Sequence, residues 1–192
     1  MTKPKILGFA GSTRTDSYNK KLVKISSTGA TDAGADVTVI DLRDFPMPIY
    51  DGDLEQKDGI PSNARKLKDI MLIHQGFLIS SPEYNSSISA VFKNTIDWTS
   101  RQSEDEIPLA CFKNKVAGIM SASPGMLGGL RGLVHVRSIL GNIGVIVLPD
   151  QVTVAKSHEA FNEDGTLKDK KQEDQVKKIG ASVTKILLKL NA

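Results

Sequence analysis

A single cysteine, Cys111, stands in a chain of 192 residues. No intramolecular disulfide can form, nothing points to an oxidising compartment, and Cys111 reads as a small packed side chain. Aromatic residues are scarce at 5%, too few for the stacking platforms that bind single-stranded nucleic acid. There is no long apolar run to cross a membrane, and no secretory leader is expected, since Met1 to Pro4 leads straight into an apolar segment. A cytoplasmic protein is expected. Charge of one sign is also lacking: 25 Lys and Arg face 22 Asp and Glu, a net +3 that is scattered or held in the tail. Neither nucleic acid nor a membrane surface is therefore expected as a partner. His74, His135 and His158 fall in different elements without ligand or triad spacing, and no metal site is expected.

What is present is alternation. With 40% hydrophobic and 24% charged residues, the chain suits one domain over residues 1–192 with a sizeable core. Apolar runs predict strands at 6–10, 35–41, 76–81, 115–122 and 144–148. Helical spacing predicts helices at 20–33, 62–75, 89–101, 128–142 and 168–190. Leu22, Val23, Ile25 and Ala30 mark one inner face, and Ala64, Leu67, Ile70 and Met71 another, with Ser62 as a cap. Leu130, Leu133, Val134, Val136, Ile139 and Leu140 mark a third. Residues 42–60, rich in Pro and Asp, read as a surface loop, and residues 151–167 as mostly loop. The tail run 169–178 reads as a solvated helix face. Strictly alternating strands and helices imply a parallel sheet covered on both sides.

The most informative stretch is Lys5 to Leu22, where an apolar strand ends at Gly11 and hydroxylated residues surround one arginine before a helix begins. A helix N-terminus offers unpaired N–H groups and the positive end of a dipole, which favours an anion. Ser12, Thr13, Thr15 and Ser17 add hydroxyls, and Arg14 adds a planar fork suited to phosphate. The plainer reading is a helix cap by Ser17 or Asp16 with Arg14 in solvent. No Gly-Lys pair follows Gly8 or Gly11, which excludes a P-loop, and the G-x-G-x-x-G of dinucleotide folds is missing. A terminal monophosphate fits better.

Gly11, Ser12, Arg14, Ser17, Asn19 and Leu22 spell G-S-x-R-x-x-S-x-N-x-x-L, which resembles the opening motif of the NADPH-dependent FMN reductase family. Pro82-Glu83-Tyr84-Asn85 resembles its P-E-Y-N segment, and Ser121 to Gly129 its S-x-x-G-x-x-G-G segment, with one residue more between Ser121 and Gly125. Residues 161–167 are similar to the region before the last helix. The resemblance covers nearly the whole chain. It implies a flavodoxin-like, doubly wound five-stranded sheet of order 2-1-3-4-5 with helices on both faces. In such a sheet the loops after strands one, three and four meet at the carboxyl edge.

The cofactors implied are FMN and, as hydride donor, NADPH or NADH. Ser12, Thr13, Arg14, Ser17, Tyr18 and Asn19 would cradle the FMN phosphate. Pro82, Glu83, Tyr84 and Asn85 would border the ring and ribityl chain, with Tyr84 over the ring or its entrance. Ser121, Ser123 and Gly125 would face the pyrimidine end, aided by N–H groups at the next helix start; tight helix–sheet packing explains the same glycines. Glu83 has rival roles as a cap or as an ion-pair partner for a neighbouring subunit. Arg131 reads as a surface charge, and Trp98 as a packing anchor near a subunit contact.

The implied activity is an FMN-dependent NAD(P)H oxidoreductase acting on a quinone, flavin, azo or metal-oxyanion acceptor by a ping-pong cycle. No side chain is needed as a nucleophile. The family habit implies a homodimer or homotetramer. The rival function is a flavodoxin-type electron carrier without its own NAD(P)H activity, though such carriers are usually acidic.

Overall fold

The computed structural model describes residues 2–103 and 106–190. Among them five strands form one sheet: β1 (Lys5–Ala10), β2 (Asp36–Ile40), β3 (Gly76–Ser80), β4 (Val116–Ala122) and β5 (Ile146–Val154). Their order is β2-β1-β3-β4-β5, with every neighbouring pair parallel. The expected order of strands is the observed one. Helices α1 (Tyr18–Asp32), α2 (Gly52–Asp58), α3 (Ser62–Leu72), α4 (Ala90–Thr99), α5 (Leu130–Asn142), α6 (Ser157–Ala160) and α7 (Lys170–Leu190) complete the order. No helix among the described residues is long and apolar enough to cross a membrane.

Alternation along the strands builds two cores, one on each face of the sheet. Leu7, Phe9, Phe77, Ile79 and Ile119 pack with Leu67 and Met71 of α3, Phe92 and Ile96 of α4, and Leu133 and Leu140 of α5. Ile6, Leu78, Val116 and Met120 pack with Leu22 and Ile25 of α1 and with Val176, Ile179 and Val183 of α7. Every residue of β3 and β4 is buried, the reason these strands read as continuous apolar runs. Helices α1 and α7 touch backbone to backbone. A Cβ on Gly180 would lie 1.9 Å from the Ser26 carbonyl oxygen, so only glycine permits that approach.

Five expectations need correction. Residues 42–60 are not all loop: a 3₁₀ turn spans Leu42–Asp44 and α2 spans Gly52–Asp58. No residue of α2 is buried, so it has no apolar stripe to announce it. Its N-terminus is fixed by Asp51, whose side chain accepts the Asp53 N–H at 2.9 Å. Ser62 is the first residue of α3 rather than its cap, a position that Pro61 takes.

Strand β5 extends to Val154 through Pro149, which an edge strand tolerates. Its pairing with β4 slips between Ala117 and Ile119, and Arg137 donates to the Leu148 carbonyl at 2.8 Å beside the irregularity. Leu130 and Val134 of α5 are exposed rather than core. In the tail, Glu173 is buried and accepts the Leu167 N–H at 2.9 Å, closing the loop before α7.

Trp98 is fully buried, and its indole N–H donates to the Pro48 carbonyl at 2.8 Å. Cys111 is buried, and burial pushes its thiol up to about 11.

Candidate functional site: three loops at the carboxyl edge

The first loop begins where β1 ends. Gly11 N–H donates to the Ser80 carbonyl at 2.9 Å, and the Gly11 carbonyl accepts the Ser89 hydroxyl at 2.6 Å. Ser12 is buried, and its Oγ accepts the Arg14 N–H at 3.3 Å. The Thr13 carbonyl accepts the Arg43 Nε–H at 2.8 Å, a tether from the segment after β2 that no motif announced. Arg14, Thr15 and Asp16 are exposed. Asp16 meets Lys21 at 2.9 Å, and the hydrogen bond and charge of Lys21 lower its carboxyl below the usual range.

Ser17 is buried and holds the N-cap position of α1 with extended backbone, yet it makes no side-chain cap bond. The first turn of α1 holds no acidic residue either. The capping role is therefore realised by neither Ser17 nor Asp16. The N–H groups of that turn are left without a side-chain acceptor. Hydroxyls, amides and an exposed guanidinium make a donor set that suits a phosphate. A cleft of about 530 Å³ opens beside it, lined by Thr15, Asp16, Ser17, Lys20, Asp41 and Phe45 among others.

The second loop leaves β3 through Ser81 and Pro82, both buried. Tyr84 and Ser87 exchange backbone hydrogen bonds of 2.9 and 3.0 Å across Asn85 (φ 51°) and Ser86 (φ 65°). Positive φ at both central residues marks a primed hairpin turn, which asparagine tolerates well. The Tyr84 ring is half-exposed at 52%. Glu83 turns inward: its Oε1 meets Arg131 Nη2 at 2.7 Å, and its Oε2 accepts the Gly132 N–H at 3.1 Å. Of the roles weighed for Glu83, the cap is the one observed, with Arg131 of the same chain as ion partner. Burial alone would raise the Glu83 carboxyl, but Gly132 N–H and Arg131 outweigh it and hold it below the ordinary range.

The third loop starts from Ser121, fully buried, whose hydroxyl donates to the Ser81 carbonyl at 2.6 Å. Ser123 Oγ accepts the Gly125 N–H at 3.3 Å. Gly129 has φ 92°, and a Cβ there would lie 1.9 Å from Ser121 Oγ, so tight packing explains this glycine. Gly125 faces open space apart from Ser123 Oγ at 3.8 Å. The helix-start amides are partly engaged inside the protein, Leu130 with the Leu127 carbonyl at 3.1 Å and Gly132 with Glu83. Met126 and Leu127 are exposed on this loop.

Two residues of the expected phosphate cradle are occupied otherwise. The Tyr18 ring stacks on Phe161 at 5.4 Å and 21°. Asn19 is buried, with its carboxamide bonded to Ala122 and Ser80. Of the other expected residues, Ser12, Thr13, Arg14 and Ser17 lie on the first loop, Pro82, Glu83, Tyr84 and Asn85 on the second, and Ser121 closes β4 with Ser123 and Gly125 on the loop after it. Among the described residues no cluster of His, Cys, Asp and Glu is placed to hold a metal.

A parallel sheet of this order, with an uncapped helix start at its carboxyl edge, defines a flavodoxin-like α/β protein. The chain belongs to the NADPH-dependent FMN reductase family, whose model matches residues 4–159. It is 32% identical to a probable NADPH:quinone oxidoreductase 2 of Oryza sativa subsp. japonica, over 98% of this chain and 93% of that protein. It is 31% identical to an NAD(P)H-dependent FMN reductase of Pseudomonas aeruginosa, over 90% of this chain and 89% of that one. Among solved structures it is similar to FerB, a flavoenzyme NAD(P)H:(acceptor) oxidoreductase of Paracoccus denitrificans. The TM-score is 0.79 at 26% identity, covering 97% of this chain and 98% of that one. The chain is an oxidoreductase of this family.

Proposed function

We propose that the chain is an FMN-dependent NAD(P)H oxidoreductase that works as one flavin-binding domain over residues 1–192. The observation that carries this is the α1 N-terminus, left without a capping side chain behind a loop of hydroxyls and Arg14. Ser12, Thr13, Arg14 and Ser17, with the first amides of α1, would hold the phosphate. Pro82, Tyr84, Asn85, Ser123 and Gly125 would border the ring, and the half-exposed Tyr84 would limit access to it. Asn19, Ser121 and Glu83 would support these loops from behind.

FMN, once bound, would supply hydride acceptance at N5 and delivery to a quinone, flavin, azo or metal-oxyanion acceptor, in a ping-pong cycle. The side chains orient and exclude water; none need be a nucleophile. The net charge of +3 favours this over an electron carrier that docks basic partners. A cytoplasmic homodimer or homotetramer completes the proposal, with the exposed Ile49, held between Pro48 and Tyr50 against α4, as a contact candidate.

The test is direct. Purified protein should bind FMN and bleach its visible band on adding NADPH under nitrogen, with no partner reductase present. A colourless preparation that neither takes up FMN nor oxidises NADPH overturns the proposal. Bound FMN that NADPH leaves oxidised favours the carrier instead.

A further inference from the structure

The rung missing between β3 and β4 singles out Asn19. These strands stay in register to Ser80 and Met120, and Ser81 N–H still donates to the Met120 carbonyl at 2.9 Å. The ladder then stops. In a parallel ladder the next partners of Ala122 would be the Ser81 carbonyl and the Glu83 N–H. The Ser81 carbonyl instead accepts the Ser121 hydroxyl at 2.6 Å, and the Glu83 N–H does not reach Ala122. Ala122, buried at the end of β4, would be left with an unpaired N–H and C=O on the side facing β3. Asn19 supplies both partners from α1. Its Oδ1 accepts the Ala122 N–H at 3.0 Å, and its Nδ2 donates to the Ala122 carbonyl at 2.9 Å. Ser80 Oγ–H donates to the same Oδ1 at 2.8 Å, so both acceptor sites of that oxygen are filled and the amide has one orientation.

We propose that Asn19 is a positioning residue. Its carboxamide stands in for the peptide that β3 does not provide, and locks the phosphate-facing helix start to the ring-facing third loop. The role rests on the flavin binding proposed above and differs from the phosphate contact that the motif implies. Three anchored points follow from one side chain: the first turn of α1, the last residue of β3, and Ala122 immediately before Ser123. With them tied, the two ends of the cofactor site keep a fixed separation before any ligand arrives, and less ordering remains for binding to impose.

A direct phosphate ligand and a positioning residue predict different patterns for FMN and for riboflavin, which has no phosphate. Fluorescence titrations would compare the wild type with Asn19→Asp, Ser80→Ala and Arg14→Ala. Asn19→Asp keeps the shape but turns an acceptor toward the Ala122 carbonyl. Its affinity for FMN and for riboflavin should fall by a like factor, about tenfold, while Arg14→Ala weakens FMN alone. At saturating FMN the visible band of Asn19→Asp should be displaced from that of the wild type, because the ring-facing loop has lost its anchor. A site that is merely less stable would keep the band in place.

Loss of FMN affinity alone, unchanged affinity for both flavins, or an undisplaced band overturns the proposal. Should Asn19→Asp not fold, Ser80→Ala carries the same expectation at about threefold, since it removes only the hydroxyl that orients the amide. Amide hydrogen exchange at Ala122 needs no ligand and should accelerate in either variant. Unchanged exchange there overturns the clamp itself, whereas a wild type that binds neither flavin overturns the flavin reading and leaves the clamp to the exchange data.

Discussion

Glu83 and Arg131 join the second loop to the start of α5, with Oε1 at 2.7 Å from Nη2, although 48 residues separate them in the chain. The Glu83 side chain is only 8% exposed, while that of Arg131 is 60% exposed. The Gly132 N–H fills the other carboxylate oxygen. The pair closes the α5 N-terminus with an anion, where the helix dipole favours one.

The acid stability of the protein should carry the signature of that carboxylate. The folded state holds the Glu83 carboxyl below its ordinary value of 4.5, so the unfolded chain takes up this proton more readily. The contribution is therefore full above 4.5 and declines as pH falls through the folded value. Glu83→Gln should cost about 1–2 kcal/mol at pH 7, scaled down because Arg131 is in solvent. The difference between wild type and variant should shrink as pH drops below 4.5. Urea denaturation of both proteins from pH 7 to pH 3 checks this; a difference constant with pH would remove the carboxylate from the account.

Arg14→Ala tests the first loop. Its side chain is exposed, so the change in unfolding free energy should stay within about 0.5 kcal/mol. FMN affinity should nevertheless drop by about 1.5–3 kcal/mol, the range for hydrogen bonds to charged groups. Calorimetric titration with FMN measures it. Unchanged affinity would move the phosphate to another part of the edge.

How far the sequence reveals this arrangement depends on which signals are local. The strands are legible as apolar runs and the three loops as motifs, whose residues lie close together in the chain; the strand order comes with the family resemblance that those motifs carry. Asn19 and Ser121 are visible as motif positions, but their partners Ala122 and Ser81 are backbone groups, which leave no trace in side-chain identity. Arg43 and Arg131 look like any surface arginine; only the fold brings them to the Thr13 carbonyl and to Glu83. Helix α2 has no buried residue and so no periodicity, and β5 hides behind Pro149 because an edge strand can carry what a central one cannot.

Gly180→Ala should report on the seam between α1 and α7. Alanine suits a helix better than glycine by about 1 kcal/mol, so an exposed site would gain stability. Here the added methyl would meet the Ser26 carbonyl oxygen at 1.9 Å and force the helices apart. Overpacking of this kind costs typically about 1–3 kcal/mol, and the variant should melt several degrees lower. Thermal unfolding by circular dichroism decides the sign, and a raised midpoint would show that the helices separate freely.

Lys68 poses the sharpest energetic contrast. Its side chain is 1% exposed, and its Nζ meets Glu106 Oε2 at 2.6 Å and donates to the Arg101 carbonyl. Burial pushes the Glu106 carboxyl up, yet the hydrogen bond and charge of Lys68 hold it below the ordinary range. Among the described residues, removing Lys68 leaves the Glu106 carboxylate only the more distant Arg65 as a cation, at 3.9 Å, whereas removing both Lys68 and Glu106 need cost little. Lys68→Met should therefore lose about 3 kcal/mol. The double variant Lys68→Met/Glu106→Gln should recover most of that, because the carboxylate is then gone as well. Urea denaturation of the two single variants and the double one completes the cycle. Additive losses, with no recovery in the double variant, would mean that Lys68 and Glu106 act independently despite their contact.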